Sequence, residues 1–572
     1  MLSNADIAAV LDQVADLLEF EGANAFRVRA YRNGSRTIHD LGESVESILA
    51  DDGRKLTDIS GIGKDLAEKI ETLSTTGSLP FMDELLERIP ESVLALLRIP
   101  GLGPKKAAVL YRELGISNLD QLRAACEEGK IRELKGFAAK TEQAILAGID
   151  LAATADKRTY WAKADIVAQA ILAHLKQCSA IRRCEIAGSY RRGRETVGDL
   201  DFLVDADDAN TVMDHFDQFP GIDSQIGRGD TKMSVRLDTG MQVDLRVVDT
   251  GAFGAALCYF TGSQAHNIEM RGRAKERGLK INEYGVFKDD EYVAGKTEEE
   301  VYATLDLPWI TPALREARRE FEWADANELP KLIELSDIRG DLHMHTNATD
   351  GKNTLEEMIA AAKARKLKYI AITDHSKRVT MAGGLDATRL LKQWEEIDRV
   401  NETLSGIQVL KGIECDILEK GGLDLEDDVL AQADWVVCSV HYGQNQPRDQ
   451  ITKRILGAIE NPHVSAIAHP TGRLINRRKP YEVDLDAVFQ VAHEHGKLME
   501  LNANPARLDL DDVACAAAKA NGVKIVISTD AHRIEGLDVM RYGILQARRA
   551  GLTKDDVANT RTWAQMKKLI GT

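Results

Sequence analysis

The stretch "RGDLHMHTNATDG" (339–351) places His343 and His345 two residues apart at the end of a short strand-like run, with Asp350 following them. Two imidazoles and a carboxylate are side chains that bind transition metals such as zinc. The chain contains 13 histidines, of which nine fall after residue 340. This concentration predicts a metal centre in the carboxy-terminal part of the chain.

Outward from this stretch, apolar strand-like runs alternate with amphipathic helical stretches. The seven runs are "IRGDLHMH", "KYIAITDHS", "IQVLKGIECDI", "WVVCSVHY", "VSAIAHP", "KLMELN" and "KIVISTDAH". This alternation predicts a parallel α/β barrel, in which the carboxyl ends of the strands build the active site. We therefore expect one barrel mouth to gather the polar side chains at these ends. They are His343, His345, His375, Glu414, His441, His469, Asp530 and His532.

Imidazoles and carboxylates crowded together favour Zn²⁺ or Mn²⁺ rather than Mg²⁺ alone. His463, His493 and His495 lie in helical or loop contexts, and we do not expect them to be ligands. Arg473, in "HPTGRL", has two interpretations, a residue that holds a phosphate oxygen and a surface arginine.

The length and the charge of the chain restrict the classes of protein to which it can belong. A chain of 572 residues exceeds what one hydrophobic core serves, which predicts three or more domains. The net charge of −17 for the whole chain argues against binding a polyanion. Two stretches are nevertheless locally basic, "RVRAYRNGSR" (27–36) and "SYRRGR" (189–194). Such stretches are either solvated faces or contacts to nucleic acid.

The seven cysteines are scattered and form no CxxC pair, which favours reduced thiols. No apolar run is long enough to cross a bilayer, and the first residues do not resemble a secretory signal. We therefore expect a cytoplasmic protein that does not bind membranes.

Residues 1 to 150 form an all-α pattern that contains an internal repeat. "ISGIGKDLAEKIETL" (59–73) and "IPGLGPKKAAVLYRELGI" (99–116) each have an apolar residue, a GxG turn and then a helix, and "LKGFAAKTEQAIL" (134–146) is a degenerate third copy. A GxG turn exposes backbone N–H groups that suit a nucleic-acid phosphate, although a single copy also fits a tight interhelical turn. The repeat resembles the helix-hairpin-helix of DNA repair proteins. The glycines are Gly61, Gly63, Gly101 and Gly103.

The segment around the first repeat, with "AYRNGSRTI" upstream, resembles the amino-terminal domain of DNA polymerase beta and other family X polymerases. By this resemblance Lys69 matches the lysine that forms a Schiff base with the sugar aldehyde of a 5′-deoxyribose phosphate. Asp65 and Asn33 stand where the eukaryotic lyase pattern has phosphate-binding lysines. The other interpretation of Lys69 is a surface or phosphate-contacting lysine.

Between residues 151 and 255, the strand-like runs "CEIAGSY", "GDLDFLVDA", "KMSVRLD" and "MQVDLRVV" predict an α+β domain. Asp199 and Asp201 are two apart in one run, so their carboxylates point to one face, and Asp244 in another run supplies a third. Three carboxylates with substrate phosphates can bridge two Mg²⁺ or Mn²⁺ ions.

Gly188 and Ser189, followed by Arg192 and then by the two aspartates, resemble the nucleotidyltransferase signature. The resemblance implies that the Gly-Ser turn and the arginine hold a triphosphate. It also assigns Gly198, directly before the first aspartate, to the substrate site.

"YFTGSQAHNIEMRGRAKERGLKINEYGVF" (259–287) resembles the thumb of family X polymerases. The resemblance implies that two aromatic residues flank the incoming sugar, that an asparagine contacts the nucleotide, and that an arginine approaches the template minor groove. These residues are Tyr259 and Phe260, Asn267 and Arg271, with Gly262 in the same site. Gln264 stands where the vertebrate enzyme commonly has an acidic residue, and we expect it to alter nucleotide affinity.

The motifs "DLHMHT", "TDHS", "GIECDI", "SVHY", "AHP" and "TDAHR" together resemble the polymerase and histidinol phosphatase (PHP) domain. The resemblance adds Asp350 as the remaining acidic ligand. The full set of nine groups is enough for about three metal ions, which would cleave a phosphoester.

The order of these segments resembles the bacterial and archaeal family X DNA polymerases over essentially the entire chain. The expected domains are a lyase-like DNA-binding domain (1–85), a helix-hairpin-helix fingers-like domain (86–150), a nucleotidyltransferase palm (151–255), a thumb (256–320), a linker (321–337) and a distorted (βα)7 PHP barrel (338–572).

The implied function is gap filling by dNTP addition at the palm, in the setting of base-excision repair. The barrel would act as a 3′–5′ exonuclease. Abasic-site endonuclease and 3′-phosphatase activities are further interpretations of the same barrel. The implied partners are gapped or nicked DNA and dNTPs. We expect the protein to be a monomer that associates with the bacterial nucleoid. The alternative is a gap-binding scaffold whose barrel hydrolyses small phosphorylated metabolites.

Overall fold

The computed structural model describes residues 4–571 except 40, 42–44, 52, 60, 91, 98, 100–101, 135, 139–140, 144, 147–148 and 150–157. The chain divides into two compact units, Met1–Arg158 and Thr159–Thr572. Among the helices of the described residues, none combines the length and apolarity needed to traverse a bilayer.

The first unit is helical, as the repeat pattern predicted. Its α-helices are Asn4–Glu21, Ala25–His39, Val45–Ala50, Lys64–Thr76, Pro80–Arg88, Val93–Leu96, Pro104–Leu114 and Leu119–Glu127. One hydrophobic cluster includes buried residues from Ile7 to Ile149, so both expected amino-terminal domains contribute to a single core.

The two GxG turns lead directly into helices of this unit. Gly63 and Gly103 are the N-caps of Lys64–Thr76 and Pro104–Leu114, both with extended backbone, and Gly61 has a φ of +88°. Gly101 and part of the third repeat copy lie outside the described residues.

The palm belongs to the second unit, and its helices are Trp161–Leu175, Gly188–Arg191 and Ala209–Asp217. Its strands are β1 (Thr159–Tyr160), β2 (Arg183–Ile186), β3 (Thr196–Val197), β4 (Asp199–Asp205), β5 (Ile222–Arg228), β6 (Lys232–Leu237) and β7 (Gln242–Val248). Five of them form one sheet in the order β2-β4-β7-β6-β5. Strand β5 did not stand out in the sequence because it is a mostly exposed, polar edge strand.

The thumb follows with a three-stranded antiparallel sheet and four helices. Its elements are Phe253–Thr261, Gln264–Glu276, β8 (Lys280–Asn282), β9 (Gly285–Lys288), β10 (Glu291–Ala294), Glu298–Ala303 and Glu320–Asp325. Within the expected linker, Phe321 packs in the thumb core and Ile333 packs in the barrel core. The segment 321–337 is therefore anchored at both ends.

The carboxy-terminal domain is the predicted parallel barrel of seven strands, paired in chain order. A bridge between Met344 and Ala531 joins the segments that follow the first and last strands. The strands are β11 (Gly340–Asp341), β12 (Tyr369–Ile372), β13 (Gln408–Asp416), β14 (Trp435–Ser439), β15 (Ala466–Ile467), β16 (Leu498–Asn502) and β17 (Ile525–Ser528), and the helices are Leu355–Ala364, Ala387–Thr403, Asp427–Leu430, Arg448–Ile459, Leu485–Glu494, Asp512–Ala520, Met540–Arg549 and Trp563–Ile570.

Candidate active sites

The palm sheet brings three aspartates together. Asp199 and Asp201 lie two residues apart on β4, and Asp201 is the register partner of Asp244 on the parallel neighbour β7. Lys232 on β6 places its Nζ 2.6 Å from Oδ2 of Asp244, and Gln242 donates to Oδ1 at 3.0 Å. Two adjacent strands therefore carry a cluster of carboxylates on one surface of the sheet.

Electrostatics in this cluster favour a bound cation. Burial, followed by the charges of Asp199 and Asp244, raises the pKa of Asp201 to about 7. Burial alone would also raise the pKa of Asp244, but its hydrogen bonds from Lys232 and Gln242 hold that pKa below the ordinary value. Because a divalent cation relieves such repulsion, the all-oxygen donor set fits Mg²⁺ or Mn²⁺.

The Gly-Ser turn lies directly against the aspartates. Gly188 has a φ of +65°, and a Cβ on it would overlap Oδ2 of Asp201. Ser189, half-buried, is the second residue of the short helix Gly188–Arg191, while Gly198 is exposed next to Asp199. The turn therefore borders the carboxylate cluster without a side chain between them.

Arg192, which the signature assigns to the triphosphate, is held in an ion pair. Its Nε lies 3.0 Å from Oε1 of Glu316, its Nη1 donates to the carbonyl of Thr261, and the side chain is only 11% exposed. A Cβ on Gly262 would lie 3.2 Å from Nη1 of Arg192. The structure thus places this arginine between palm and thumb.

The thumb residues selected from the sequence lie next to one another. The rings of Tyr259 and Phe260 are T-shaped at 5.2 Å, and the Arg246 guanidinium lies 4.4 Å from the Phe260 centroid. Asn267 donates from Nδ2 to the carbonyl of Tyr259 at 2.7 Å, and Arg271 is exposed one turn further along the helix. The amide of Asn267 therefore braces the end of the helix that carries both aromatic rings.

In the first unit, Lys69 lies on the helix Lys64–Thr76 with its side chain 19% exposed. Its Nζ pairs with Asp65 and lies 5.6 Å from the centroid of the Phe81 ring. The amine is thus partly sheltered and already has an anionic partner.

The barrel mouth gathers all nine expected groups. The donor atoms form three sets, and within each set all donor atoms lie within 4.8 Å of one another. The sets are His345, Asp350, His375 and His532; His343, His345 and Asp530; and His375, Glu414 and His441. His469 joins them through its Nε2, which lies 3.0 Å from Oε1 of Glu414. These groups come from segments far apart in sequence, because the carboxyl ends of parallel strands meet at one end of a barrel.

Buried polar atoms in the mouth show that the cluster fits metal ions. Among the described residues, Nε2 of His343, Nδ1 of His345 and Nδ1 of His469 are buried without a hydrogen-bond partner. Such atoms cost free energy unless a metal or another partner satisfies them. Imidazole nitrogens mixed with carboxylates are a donor set for Zn²⁺ or Mn²⁺.

The titratable groups of the mouth influence one another strongly. Burial alone would lower the pKa of His343 and of His375, but neighbouring carboxylates raise both, that of His375 to about 10, so metal binding would release protons from these imidazoles. Burial, followed by the neighbouring His532 and His375, lowers the pKa of His345 to about 4. Burial alone would raise the pKa of Glu414, but the surrounding histidines, His375 first, hold it well below the ordinary value.

Two residues of the cluster have backbone conformations that L-amino acids rarely adopt. His469 has a φ of +29° and Asp530 a φ of +54°. Each such conformation costs roughly 1 kcal/mol or more and persists where the surrounding structure enforces it. Here it occurs directly after the barrel strands β15 and β17, where both side chains contribute to the cluster.

Sequence reasoning missed two buried acids that orient the histidines. Glu500 on β16 places Oε1 2.7 Å from Nδ1 of His343 and accepts the backbone N–H of His469 through Oε2. Asp416 on β13 places Oδ1 3.1 Å from Nδ1 of His441. Such partners fix the ring and leave its other nitrogen for a metal. The period-2 spacing of Asp416 from Glu414 was the available signal.

Arg473 is not a surface arginine. Its side chain is 11% exposed, its Nη2 lies 2.6 Å from Oε2 of Glu195, and it also donates to the carbonyl of Leu508. The structure therefore places it in a buried contact between palm and barrel.

Five family models match this chain in the order of its domains. They are a helix-hairpin-helix domain (2–79), a SAM-like helix-hairpin-helix tandem (93–150), the DNA polymerase beta palm (162–224), the DNA polymerase beta thumb (256–316) and the PHP domain (341–504).

The curated relatives include proteins that match nearly the whole chain and proteins that match a smaller part of it. A "probable phosphatase" of Thermoanaerobacter sp. (strain X514) is 33% identical over 233 residues, which is 38% of this chain and 89% of that protein. The "DNA polymerase/3′-5′ exonuclease PolX" of Bacillus subtilis (strain 168) is 42% identical over 570 residues, 99% of each chain. The chain therefore belongs to the PolX family, the family X DNA polymerases that carry a PHP domain.

Proposed function

We propose that this protein is a DNA-directed DNA polymerase that fills short gaps and that its PHP barrel is a 3′–5′ exonuclease. The observation that supports the proposal is that one compact unit contains two different clusters of side chains of the kinds that bind metal ions. One is the carboxylate cluster that pairs Asp201 with Asp244, and the other is the His-rich barrel mouth.

At the palm, Asp199, Asp201 and Asp244 would hold two divalent cations. When bound, the cations lower the barrier to attack by a primer 3′-hydroxyl and neutralise the departing pyrophosphate. The turn at Gly188 and Ser189 would orient the triphosphate against the carboxylates. The rings of the thumb would flank the incoming sugar and exclude water from it.

At the barrel mouth, the nine clustered groups would hold Zn²⁺ or Mn²⁺. When bound, such ions polarise the phosphodiester and activate water at neutral pH. Glu500 and Asp416 keep the histidine rings of the mouth in a fixed orientation. The terminal 3′ phosphodiester of DNA is the substrate that we propose.

Base-excision repair is the setting we propose, because a gap-filling polymerase with end-cleaning activity serves its last steps. Abasic-site endonuclease and 3′-phosphatase reactions would use the same phosphoester chemistry in the barrel. The fusion to helix-hairpin-helix domains supports a DNA substrate over a small metabolite.

The proposed function is tested with purified protein, Mn²⁺ and a duplex that contains a one-nucleotide gap. With dNTPs we expect extension of the primer, and without them we expect degradation from its 3′ end. The scaffold alternative instead predicts binding of the gapped duplex with neither reaction, together with hydrolysis of a small phosphomonoester. That pattern would overturn the proposal.

A first prediction concerns the glycine next to the carboxylates. Gly188→Ala is expected to slow extension by about 10- to 100-fold, because its Cβ would displace Asp201 and misplace the reacting groups. Gly240→Ala is the matched control, since Gly240 also has a positive φ but has open space around it. Equal effects of the two substitutions on single-turnover extension would contradict the clash argument.

A second prediction concerns 5′-deoxyribose phosphate lyase activity, which we propose for Lys69. Lys69→Ala is expected to reduce borohydride trapping of a 5′-deoxyribose phosphate substrate to background, because the trapped imine requires this amine. Lys64→Ala, an exposed lysine on the same helix, should trap as wild type does. Undiminished trapping in Lys69→Ala would remove this role.

A further inference from the structure

We propose that the barrel helix Met540–Arg549 positions the phosphate-binding loop of the palm, so that Gln546 and Arg549 are positioning residues for nucleotide addition. The inference rests on the proposed polymerase function. We define this loop as residues 188–194. It contains the short helix Gly188–Arg191, which begins at the Gly-Ser turn beside the aspartates, and the turn that follows it to Arg194.

The last two turns of this helix hold the main chain of the loop. Gln546 donates from Nε2 to the carbonyl of Gly193 at 3.0 Å, and Arg549 donates from Nη1 to the carbonyl of Arg192 at 3.1 Å. Both donor side chains are buried. Consecutive carbonyls of the loop thus depend on donors from the other domain.

Arg549 also controls the side chain of Arg192. Its Nη1 lies 2.8 Å from Oε1 of Glu316, the same oxygen that accepts from Nε of Arg192. Its Nη2 lies 2.7 Å from Oδ2 of Asp512. Because buried carboxylates need compensating charge, loss of Arg549 would disturb the partner that fixes the Arg192 guanidinium.

The first turn of the helix reaches the loop through an intermediate acid. Arg541 lies with its Nη2 3.1 Å from Oδ2 of Asp165, and Oδ1 of Asp165 accepts from the hydroxyl of Tyr190 at 2.6 Å. The ring of Tyr542 meets the edge of Trp161 at 5.9 Å. Residues from both ends of the helix therefore support the loop, at Tyr190, Arg192 and Gly193.

The helix is itself seated on the barrel. A Cβ on Gly543 would lie 2.6 Å from the Ile527 side chain and 2.8 Å from Cβ of Ala503, so only glycine permits this approach. Ile527 lies in β17, and Ala503 directly follows β16. A helix this close to the strands is a fixed support, and a loop held by a fixed support is preorganised for the triphosphate.

The experiment compares steady-state gap filling by full-length variants. Arg549→Met is expected to raise the KM for dNTP by about 10-fold or more, since a charged hydrogen bond to the loop is lost. The kcat, the affinity for gapped DNA and the rate of 3′-end degradation should stay within about 2-fold of wild type. In Arg549→Lys the KM for dNTP should be much closer to the wild-type value than in Arg549→Met, because lysine keeps the charge and a hydrogen-bond donor.

Two further variants sharpen the test. Arg548→Met is the matched control, since Arg548 is the preceding residue and donates to the carbonyl of Ile333 instead of to the loop. Gln546→Met removes one neutral hydrogen bond and should raise the KM by about 3-fold. It carries the test if Arg549→Met does not fold.

An unchanged KM in Gln546→Met and Arg549→Met would overturn the inference. A rise in KM accompanied by comparable decreases in kcat and in the rate of 3′-end degradation would also overturn it, because a merely structural interface predicts that pattern. Failure of the proposed function is distinguishable, since the wild-type protein itself would then not extend the primer.

Discussion

Replacing Asp201 by alanine is expected to abolish nucleotide addition, lowering the rate of gap filling by at least about 10³-fold, while degradation of the 3′ end continues at the wild-type rate. Asp201 is the register partner of Asp244 and lies two residues from Asp199 on the same strand. Its loss removes the central carboxylate of the cluster. A bound metal contributes several kcal/mol to the transition state, and each 1.36 kcal/mol is tenfold in rate.

The measurement is single-turnover extension across a one-nucleotide gap in Mn²⁺. Asp223→Ala is the control, because Asp223 is exposed on the edge strand β5 of the same sheet. It should extend as wild type does. Extension by Asp201→Ala at the wild-type rate would exclude the palm as the polymerase centre.

Replacing His343 by alanine is expected to abolish degradation of the 3′ end, again by at least about 10³-fold, while gap filling stays at the wild-type rate. His343 shares a set of donors with His345 and Asp530, and Glu500 holds its Nδ1 at 2.7 Å. Removing this imidazole opens a buried part of the cluster and leaves Oε1 of the buried Glu500 without its imidazole partner.

Degradation is measured on a 3′-labelled primer without dNTPs, and the metal content of the purified protein is measured in parallel. We expect less metal per chain in His343→Ala. His495→Ala is the control, because His495 is exposed and lies outside the three donor sets. Degradation that survives His343→Ala would place the nuclease activity outside the barrel mouth.

Local patterns in the sequence predicted much of the architecture. Period-2 spacing placed Asp199 and Asp201 on one face of a strand, and the GxG turns marked where the helices after Gly63 and Gly103 begin. Seven apolar runs predicted seven parallel strands. These features depend on the backbone geometry of a few neighbouring residues, so the sequence alone shows them.

Strand β5 escaped the pattern because it is an exposed, polar edge strand with little hydrophobic periodicity. Strands β11 and β15 have only two residues each, and the predicted runs that contain them are longer than the strands themselves. Glu500 was overlooked because its run ends in Asn502, and nothing local shows that its carboxylate faces His343.

By itself, the sequence determined the fold class, the order of the domains and the residue types that line the two centres. Only the tertiary structure decided the partners: Glu500 beside His343, Glu195 against Arg473, and the barrel helix against the loop of the palm. The hydrogen bond from Gln546 to Gly193 spans 353 residues of chain. Such a contact depends on how two finished domains pack, and no local periodicity encodes that packing.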